Sequence, residues 1–90
     1  MTELEILQGL KTREIAAFKA LIMDYSEDIT VLAYVLTKDR DMAQMIVDNL
    51  LIDIWNKVIV IPHIPIHPFL RNQIREACGF KGLNYSSKDL

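Results

Sequence analysis

The sequence predicts an all-α protein, a small orthogonal or antiparallel bundle of four main helices that forms one domain over residues 1–90. The first observation is the helical spacing of apolar residues, seen best in Ala43, Val47, Leu50 and Ile54. The second is that successive helical segments are joined by very short connections, which makes consecutive helices antiparallel neighbours. The third is composition, because 51% hydrophobic and 24% charged residues are typical of a folded domain with a single core.

Three helices are predicted before residue 39. A short first helix covers Leu4 to Leu10 and is weakened by Gly9. Thr12 is a suitable N-cap for the second helix, and Ser26 is a suitable N-cap for the third. The apolar stripes of the second and third helices are Ile15, Phe18, Leu21, Ile22 and Tyr25, and then Ile29, Leu32, Ala33 and Leu36.

The central helix is predicted to run from its N-cap, Asp39, to Trp55 with no internal glycine or proline. One side of this helix is predicted to face the core, and it carries Ala43, Ile46, Val47, Leu50 and Ile54. The opposite side is neither uniformly polar nor uniformly apolar, and it carries Asp41, Met45, Asp48, Ile52 and Trp55. A function is therefore expected on this mixed side.

The chain changes character after Trp55, where the apolar segment Val58 to Ile66 is followed by one more helix. Pro62, Pro65 and Pro68 lie within seven residues and exclude a helix across this stretch of the chain. Pro68 is expected to be the first residue of the last helix, because a missing N–H costs nothing there. The last helix is expected to end at Gly79 or Gly82, with residues 86–90 as a frayed tail. Its apolar stripe is Leu70, Ile74, Ala77 and Cys78.

Few residues indicate catalysis or metal binding. His63 and His67 have the spacing of a helical metal pair, but the prolines around them exclude that helix, so ordinary loop histidines are predicted. Cys78 is the only cysteine, which excludes an intramolecular disulfide, and its place on an apolar stripe indicates a buried side chain. No nucleophile–base set or glycine-rich phosphate loop stands out. We therefore predict neither an enzyme nor a metal or cofactor site.

Charge is unevenly distributed along the chain. Residues 1–55 contain five basic and ten acidic side chains, whereas residues 56–90 contain five basic and two acidic ones. This asymmetry is typical of surfaces for oppositely charged partners, although exposed helix faces can also differ in this way without function. The acidic first residues are unlike a signal peptide and no apolar run reaches spanning length, so a cytoplasmic protein is predicted.

The carboxyl-terminal half has the composition of a surface for single-stranded nucleic acid. Basic residues neutralise phosphates and aromatic rings stack on bases. The basic residues are Lys57, Arg71, Arg75 and Lys81, and the aromatic residues among them are Phe69, Phe80 and Tyr85. The alternative is that Phe69 and Phe80 belong to the core.

The central helix and its neighbours resemble region 2 of bacterial RNA polymerase sigma factors of the extracytoplasmic-function type. The resemblance covers about residues 3–85 and keeps the order and spacing of the family's motifs. The matching residues are Ala17-Phe18, Leu21, Tyr25, Ala33-Tyr34, Asp39 to Ala43, Ile46-Val47, Ile54-Trp55, Pro68-Phe69-Leu70, Ile74-Arg75 and Ala77-Cys78. The chain departs from the family in several places. It has Gln44-Met45 instead of Glu-Asp, Asp48-Asn49 instead of Gln-Glu, Leu51 instead of Phe, Glu76 instead of Asn, and an apolar rather than polar base-capturing loop from Val58 to Ile66.

This resemblance implies a transcription-initiation module without a counterpart of the family's region 4 domain. Its central helix would bind the clamp helices of core RNA polymerase, and a flipped base of the promoter −10 element would be held in the loop that follows. The residues implied to face polymerase are Asp41, Met45, Asp48, Asn49 and Asp53. The residues implied to face promoter DNA are Lys57, Arg71, Arg75 and Lys81.

A second hypothesis is a protein-interaction module that has the sigma-domain fold but has lost promoter recognition. Met45, Ile52 and the segment Val58 to Ile66 would then form an apolar patch that supports a homodimer or captures a partner. A third interpretation is that Ile52 and Trp55 are simply packed beneath the loop.

Overall fold

The computed structural model describes residues 1–80, with side-chain surroundings as far as Cys78. This part of the chain consists of four α-helices, which confirms the all-helical prediction. They are α1 (Glu3–Lys11), α2 (Ile15–Thr37), α3 (Arg40–Trp55) and α4 (Ile66–Arg75), and α4 continues into a π-helical turn at Glu76–Phe80. Helix α2 contacts each of the others. The expected end at Gly82 and the expected tail at residues 86–90 lie outside the described residues.

Helix α1 is capped at both ends by threonines. The Thr2 hydroxyl accepts a hydrogen bond from the Glu5 amide while the Glu5 carboxylate accepts one from the Thr2 amide, which is a complete capping box. The prediction that Thr12 begins the second helix is wrong. Thr12 ends α1 instead, because its amide and hydroxyl both donate to the Gly9 carbonyl, and Glu14 occupies the N-cap of α2.

Helix α2 is continuous through Ser26, so the predicted third helix is the second half of α2 and the predicted N-cap at Ser26 is wrong. No glycine or proline interrupts residues 15–37. Leu21, Ile29 and Ala33 are fully buried and face one core, so packing keeps the helix intact where a capping residue could have ended it. The Ser26 carbonyl instead accepts a hydrogen bond from the Thr30 hydroxyl one turn later, at 2.6 Å.

Replacing Ser26 by alanine tests whether this residue is an N-cap or lies inside a continuous α2. Loss of an N-cap would destabilise the protein by about 1 kcal/mol. Inside a helix, alanine is the better helix former, so we expect Ser26→Ala to leave the free energy of unfolding unchanged or to raise it by a few tenths of a kcal/mol. Urea unfolding followed by circular dichroism measures the difference, with Asp39→Ala as a control that removes an authentic cap. A loss as large as that of Asp39→Ala would contradict the continuous helix.

Helix α3 matches its predicted bounds. The Asp39 carboxylate accepts a hydrogen bond from the Met42 amide at 3.0 Å, which confirms this residue as the N-cap. Of the predicted core side, Ile46 is half-buried and the rest is buried, and Leu51 joins the core as well. The chain enters α3 through Lys38, whose left-handed backbone (φ 59°) ends α2 while its amide donates to the Tyr34 carbonyl.

Residues 56–65 are non-helical, as the prolines predict, but α4 begins at Ile66 rather than at Pro68. Pro65 is the N-cap and Pro68 is the third helical residue. Proline is tolerated there because the first four amides of a helix have no partner within the helix. Gly79 does not end the helix, since it lies within the π-helical turn.

One hydrophobic core joins all four helices. Side chains from each helix are buried in it. Ile61 in the loop after α3 and Ile66 at the start of α4 are buried as well, and they attach the loop to the core. Its largest fully buried members are Ile6, Leu21, Ile29, Val47, Ile66, Leu70 and Ile74. Since the core fixes α3 between its neighbours, it also decides which side of α3 remains open.

Candidate functional site

The side of α3 opposite the core is uncovered by any other described element. We call it the α3 outer face and define it as Asp41, Met42, Met45, Asp48, Asn49 and Ile52. Its apolar side chains are about half exposed, at 46% for Met42, 55% for Met45 and 53% for Ile52. Three apolar side chains are therefore left partly exposed to water at helical spacing on one side of α3.

Carboxylate and amide groups surround these apolar side chains. Asp41, Asp48 and Asn49 are all exposed, as expected for residues that meet a partner. The Asp48 carboxylate accepts a hydrogen bond from the Gln44 side-chain amide at 2.9 Å, one turn earlier on the helix. An apolar centre with a polar rim is the usual composition of a protein interface.

Asp53 differs from the other residues implied to face polymerase, because it is half-buried. Its carbonyl accepts hydrogen bonds from the Val58 and Ile59 amides at 2.9 and 3.1 Å, and it thereby holds the start of the loop. Its side chain lines a groove of about 430 Å³ between α3 and α4, beside Asn49 and Gln73. Asp53 therefore lies at the edge of the α3 outer face and also has a structural role.

The sequence predicts Trp55 on the outer side of the central helix, but its side chain is half-buried against helix α2. Its ring packs against Phe18 with a centroid distance of 4.9 Å and an interplanar angle of 44°. Ile52 remains exposed, so the interpretation that Ile52 and Trp55 both pack beneath the loop is wrong for Ile52.

The residues implied to face DNA are only partly brought together. Arg71 is half-buried and Arg75 is exposed, one turn apart on α4, and the Arg75 guanidinium is 3.4 Å from the Asn72 side-chain oxygen. The Lys57 ammonium donates to the Lys11 carbonyl at the end of α1. Lys81 lies outside the described residues, as do Tyr85 and the side chain of Phe80.

A cluster of polar side chains joins α1, α2 and α4. One oxygen of the Glu3 carboxylate accepts hydrogen bonds from the Tyr25 hydroxyl and from the Ile66 amide, both at 2.9 Å. The Ile66 amide is the first of α4 and has no partner within that helix, so the Glu3 carboxylate caps the N-terminus of α4. The sequence does not predict this cluster, because its partners are 22 and 63 residues away from Glu3 and no short motif relates them.

His67 extends the same cluster. The prediction that it is a loop histidine is wrong, because it is the second residue of α4. Its ring stacks on Tyr25 with a centroid distance of 5.9 Å. Its Nε2 atom is 2.5 Å from a carboxylate oxygen of Asp28, but it forms no hydrogen bond with any described residue. Among residues 1–80, no group of three His, Cys, Asp or Glu side chains is arranged to hold a metal ion.

The environment of Tyr25 raises the pKa of its phenol from 10.0 to about 12. Burial is the largest cause, followed by the hydrogen bond to the negative Glu3 carboxylate and by the charges of Glu3 and Asp24. The folded protein therefore keeps this proton at a pH where the unfolded chain releases it. The resulting contribution to stability is complete below pH 10 and is lost as the pH rises towards 12.

Removing the Glu3 charge is expected to lower the pKa of Tyr25. In Glu3→Gln the amide oxygen can still accept a hydrogen bond, but the negative charge that disfavours the phenolate is gone. The ring resonances of Tyr25 followed by NMR against pH measure this change. Glu27→Gln is the matched control, because Glu27 is exposed on α2 and is not among the charges that raise the pKa of Tyr25. An unchanged Tyr25 titration in Glu3→Gln would contradict the cluster.

Two remaining features of the described residues bear on the kind of protein. Cys78 is buried in the core, and burial raises the pKa of its thiol, which is the opposite of what a nucleophilic cysteine needs. None of the described helices is both long and apolar enough to cross a membrane.

Residues 1–80 thus form an all-α structure in which one helix face, with acidic and apolar side chains, is exposed. Comparisons of the chain with family models, with curated proteins and with solved structures find no match. The resemblance to sigma factor region 2 accordingly stays a prediction made from the residues themselves.

Proposed function

We propose that the chain is a sigma factor-like transcription-initiation module that binds core RNA polymerase through the α3 outer face. The observation that carries the proposal is the exposure of Met42, Met45 and Ile52 between carboxylates. This is the helix that the resemblance implies for contact with the clamp helices. Of the five residues implied to meet polymerase, four are exposed on one helix.

The chemistry of the α3 outer face fits a helical partner with basic side chains. Methionine is flexible and adapts to irregular surfaces, so Met42 and Met45 can fill gaps against a coiled coil. Burial of half-exposed apolar groups favours association by about 25 cal/mol for each Å² removed from water. The carboxylates of Asp41 and Asp48 favour a positively charged partner, and this attraction acts mainly on the specificity and the association rate.

Substitutions at the centre and at the rim of this face should weaken binding to different extents. Ile52→Lys places a charge where the interface needs an apolar contact, and we expect at least a tenfold loss of affinity for purified core polymerase. Asp48→Lys reverses a rim charge and is expected to slow association most strongly at low salt. Biolayer interferometry at two salt concentrations measures both effects.

Matched controls lie on α2. Met23 is 83% exposed and Glu27 is exposed, so Met23→Lys and Glu27→Lys make the same chemical changes away from the α3 outer face. Equal affinity of Ile52→Lys and Met23→Lys for core polymerase would refute the proposed contact. Thermal unfolding of all four variants separates lost binding from lost folding.

The second candidate function is self-association through apolar surface, without promoter recognition. It is favoured by the exposure of Val58, Val60 and Ile64 in the loop, in addition to Met45 and Ile52 on α3. Light scattering of the full chain distinguishes the candidates. A monomer that binds core polymerase and a −10-like single strand, more weakly as salt rises, supports the first candidate. A dimer without affinity for DNA supports the second.

A further inference from the structure

A concave apolar site lies between α1, the end of α3 and the loop that follows α3. Its volume is about 250 Å³. We call it the α1 pocket. Its apolar lining consists of Leu7, Leu10, Ile54, Ile59, Val60 and Ile61. None of these residues belongs to the α3 outer face, so the pocket is a separate surface from the one proposed to bind polymerase.

The walls of the α1 pocket are held in place by the protein itself. Ile54 and Ile61 are buried and belong to the core. The loop wall begins at Lys57, whose backbone is left-handed (φ 63°), and continues where the Val58 and Ile59 amides donate to the Asp53 carbonyl. A pocket that needs no partner to form is the usual state of a small-molecule site.

Positive charge lies at the pocket. Among the described residues, Lys11 and Lys57 are the two polar ones that line it, and none of the lining residues is acidic. The Lys57 ammonium donates one hydrogen bond to the Lys11 carbonyl, at the negative end of the α1 dipole, and an ammonium group has two further N–H donors. These two exposed cations contrast with the acidic character of residues 1–55.

We propose that the α1 pocket binds a free, single-chain amphiphile with a carboxylate head group. The apolar chain would lie between α1 and the loop, and the carboxylate would meet Lys11 and Lys57. The volume of about 250 Å³ is close to the lower end of the range of about 300–1,000 Å³ typical of ligand sites, and this size favours a small ligand over a protein partner.

Sodium decanoate is a suitable probe, used below its micelle concentration with the full chain. Methyl NMR spectra should show saturable shifts for Leu7, Leu10 and Ile59. Val60 is 63% exposed at the edge of the pocket, so Val60→Trp should fill the pocket and weaken binding at least tenfold. Val58 is exposed and does not line the pocket, so Val58→Trp should leave binding unchanged and serves as the matched control.

The head group is tested with Lys11→Gln and with decanol. Each loss of an exposed charge pair should weaken binding about two- to fivefold. Saturable shifts that persist in Val60→Trp, shifts that map outside the pocket, or shifts that do not saturate would each overturn the proposal. Binding only to vesicles of anionic phospholipid, with no saturation by decanoate, would overturn it as well. Circular dichroism of each variant verifies the fold.

Discussion

Replacing Gly9 by alanine is expected to lower the free energy of unfolding by about 1–3 kcal/mol, the usual cost of overpacking. A Cβ atom at this position would lie 2.4 Å from the Cβ of Ala17, so α1 would have to move away from α2. Helix propensity alone predicts the opposite, a gain of up to about 1 kcal/mol from removing a glycine inside a helix. We expect the steric term to dominate, because a small side chain on α2 has no rotamer that avoids the contact.

A second substitution distinguishes crowding from other causes. Ala17→Gly removes the atom that the new Cβ would meet, so the double variant Gly9→Ala with Ala17→Gly should be less destabilised than the sum of the two single variants. Chemical denaturation of all four proteins measures the coupling free energy. Gln8→Ala, at an exposed position of α1, controls for helix propensity. A stabilised Gly9→Ala protein would show that the two helices separate without cost.

Replacing Ile29 by alanine is expected to lower the free energy of unfolding by about 2–5 kcal/mol. Ile29 is fully buried in the second half of α2, the helix that contacts all the others. Its truncation removes apolar burial and leaves a cavity in a close-packed core. Domains of this size are stable by only about 5–15 kcal/mol, so the loss is a large part of the total.

Val31 provides the matched control for this substitution, because it is also β-branched and lies two residues later on the same helix. Its side chain is 56% exposed, so Val31→Ala should change stability by less than about 0.5 kcal/mol. Ile29→Val should be intermediate, at about 0.5–1.5 kcal/mol. Urea unfolding gives all three values. Equal effects of Ile29→Ala and Val31→Ala would contradict the packing of α2 against the core.

The parts of the fold that sequence analysis predicted are those with local causes. Asp39 caps α3 because its carboxylate reaches an amide three residues away. Ala43, Val47 and Ile54 are buried because helical spacing places them on one side. Pro62 and Pro65 disfavour a helix across the later part of the loop for a reason that is also local.

The wrong helix boundaries involve residue types that are favourable at more than one position in a helix. Ser26 is a good N-cap, yet it lies inside α2 because burial on both sides of it favours a continuous helix. Thr12 is a good N-cap, yet it ends α1 through the Gly9 carbonyl. Pro68 is acceptable at any of the first positions of a helix, so its presence does not decide which of them it occupies.

In the candidate site, too, the sequence predicts features that depend on one helix and not those that depend on distant contacts. Helical periodicity identified the outer side of α3, and Asp41, Met45, Asp48 and Asn49 are exposed there. The contact of Trp55 with Phe18 and that of Lys57 with Lys11 join residues 37 and 46 positions apart. A sequence does not show which residues far apart in the chain are in contact, so neither of these two contacts could be predicted from it.

By itself, the sequence determined an all-helical chain, the bounds of α3 and the inner and outer sides of that helix, because hydrogen bonds and side-chain spacing within one helix depend on neighbours only a few residues away. The tertiary structure decided that α2 is a single helix, that Gly9 lies against Ala17, and that Glu3 completes the N-terminus of α4. It also enclosed the α1 pocket. These features depend on burial and contact between segments distant in the chain, and the free energy of that burial exceeds the local preferences of single residues.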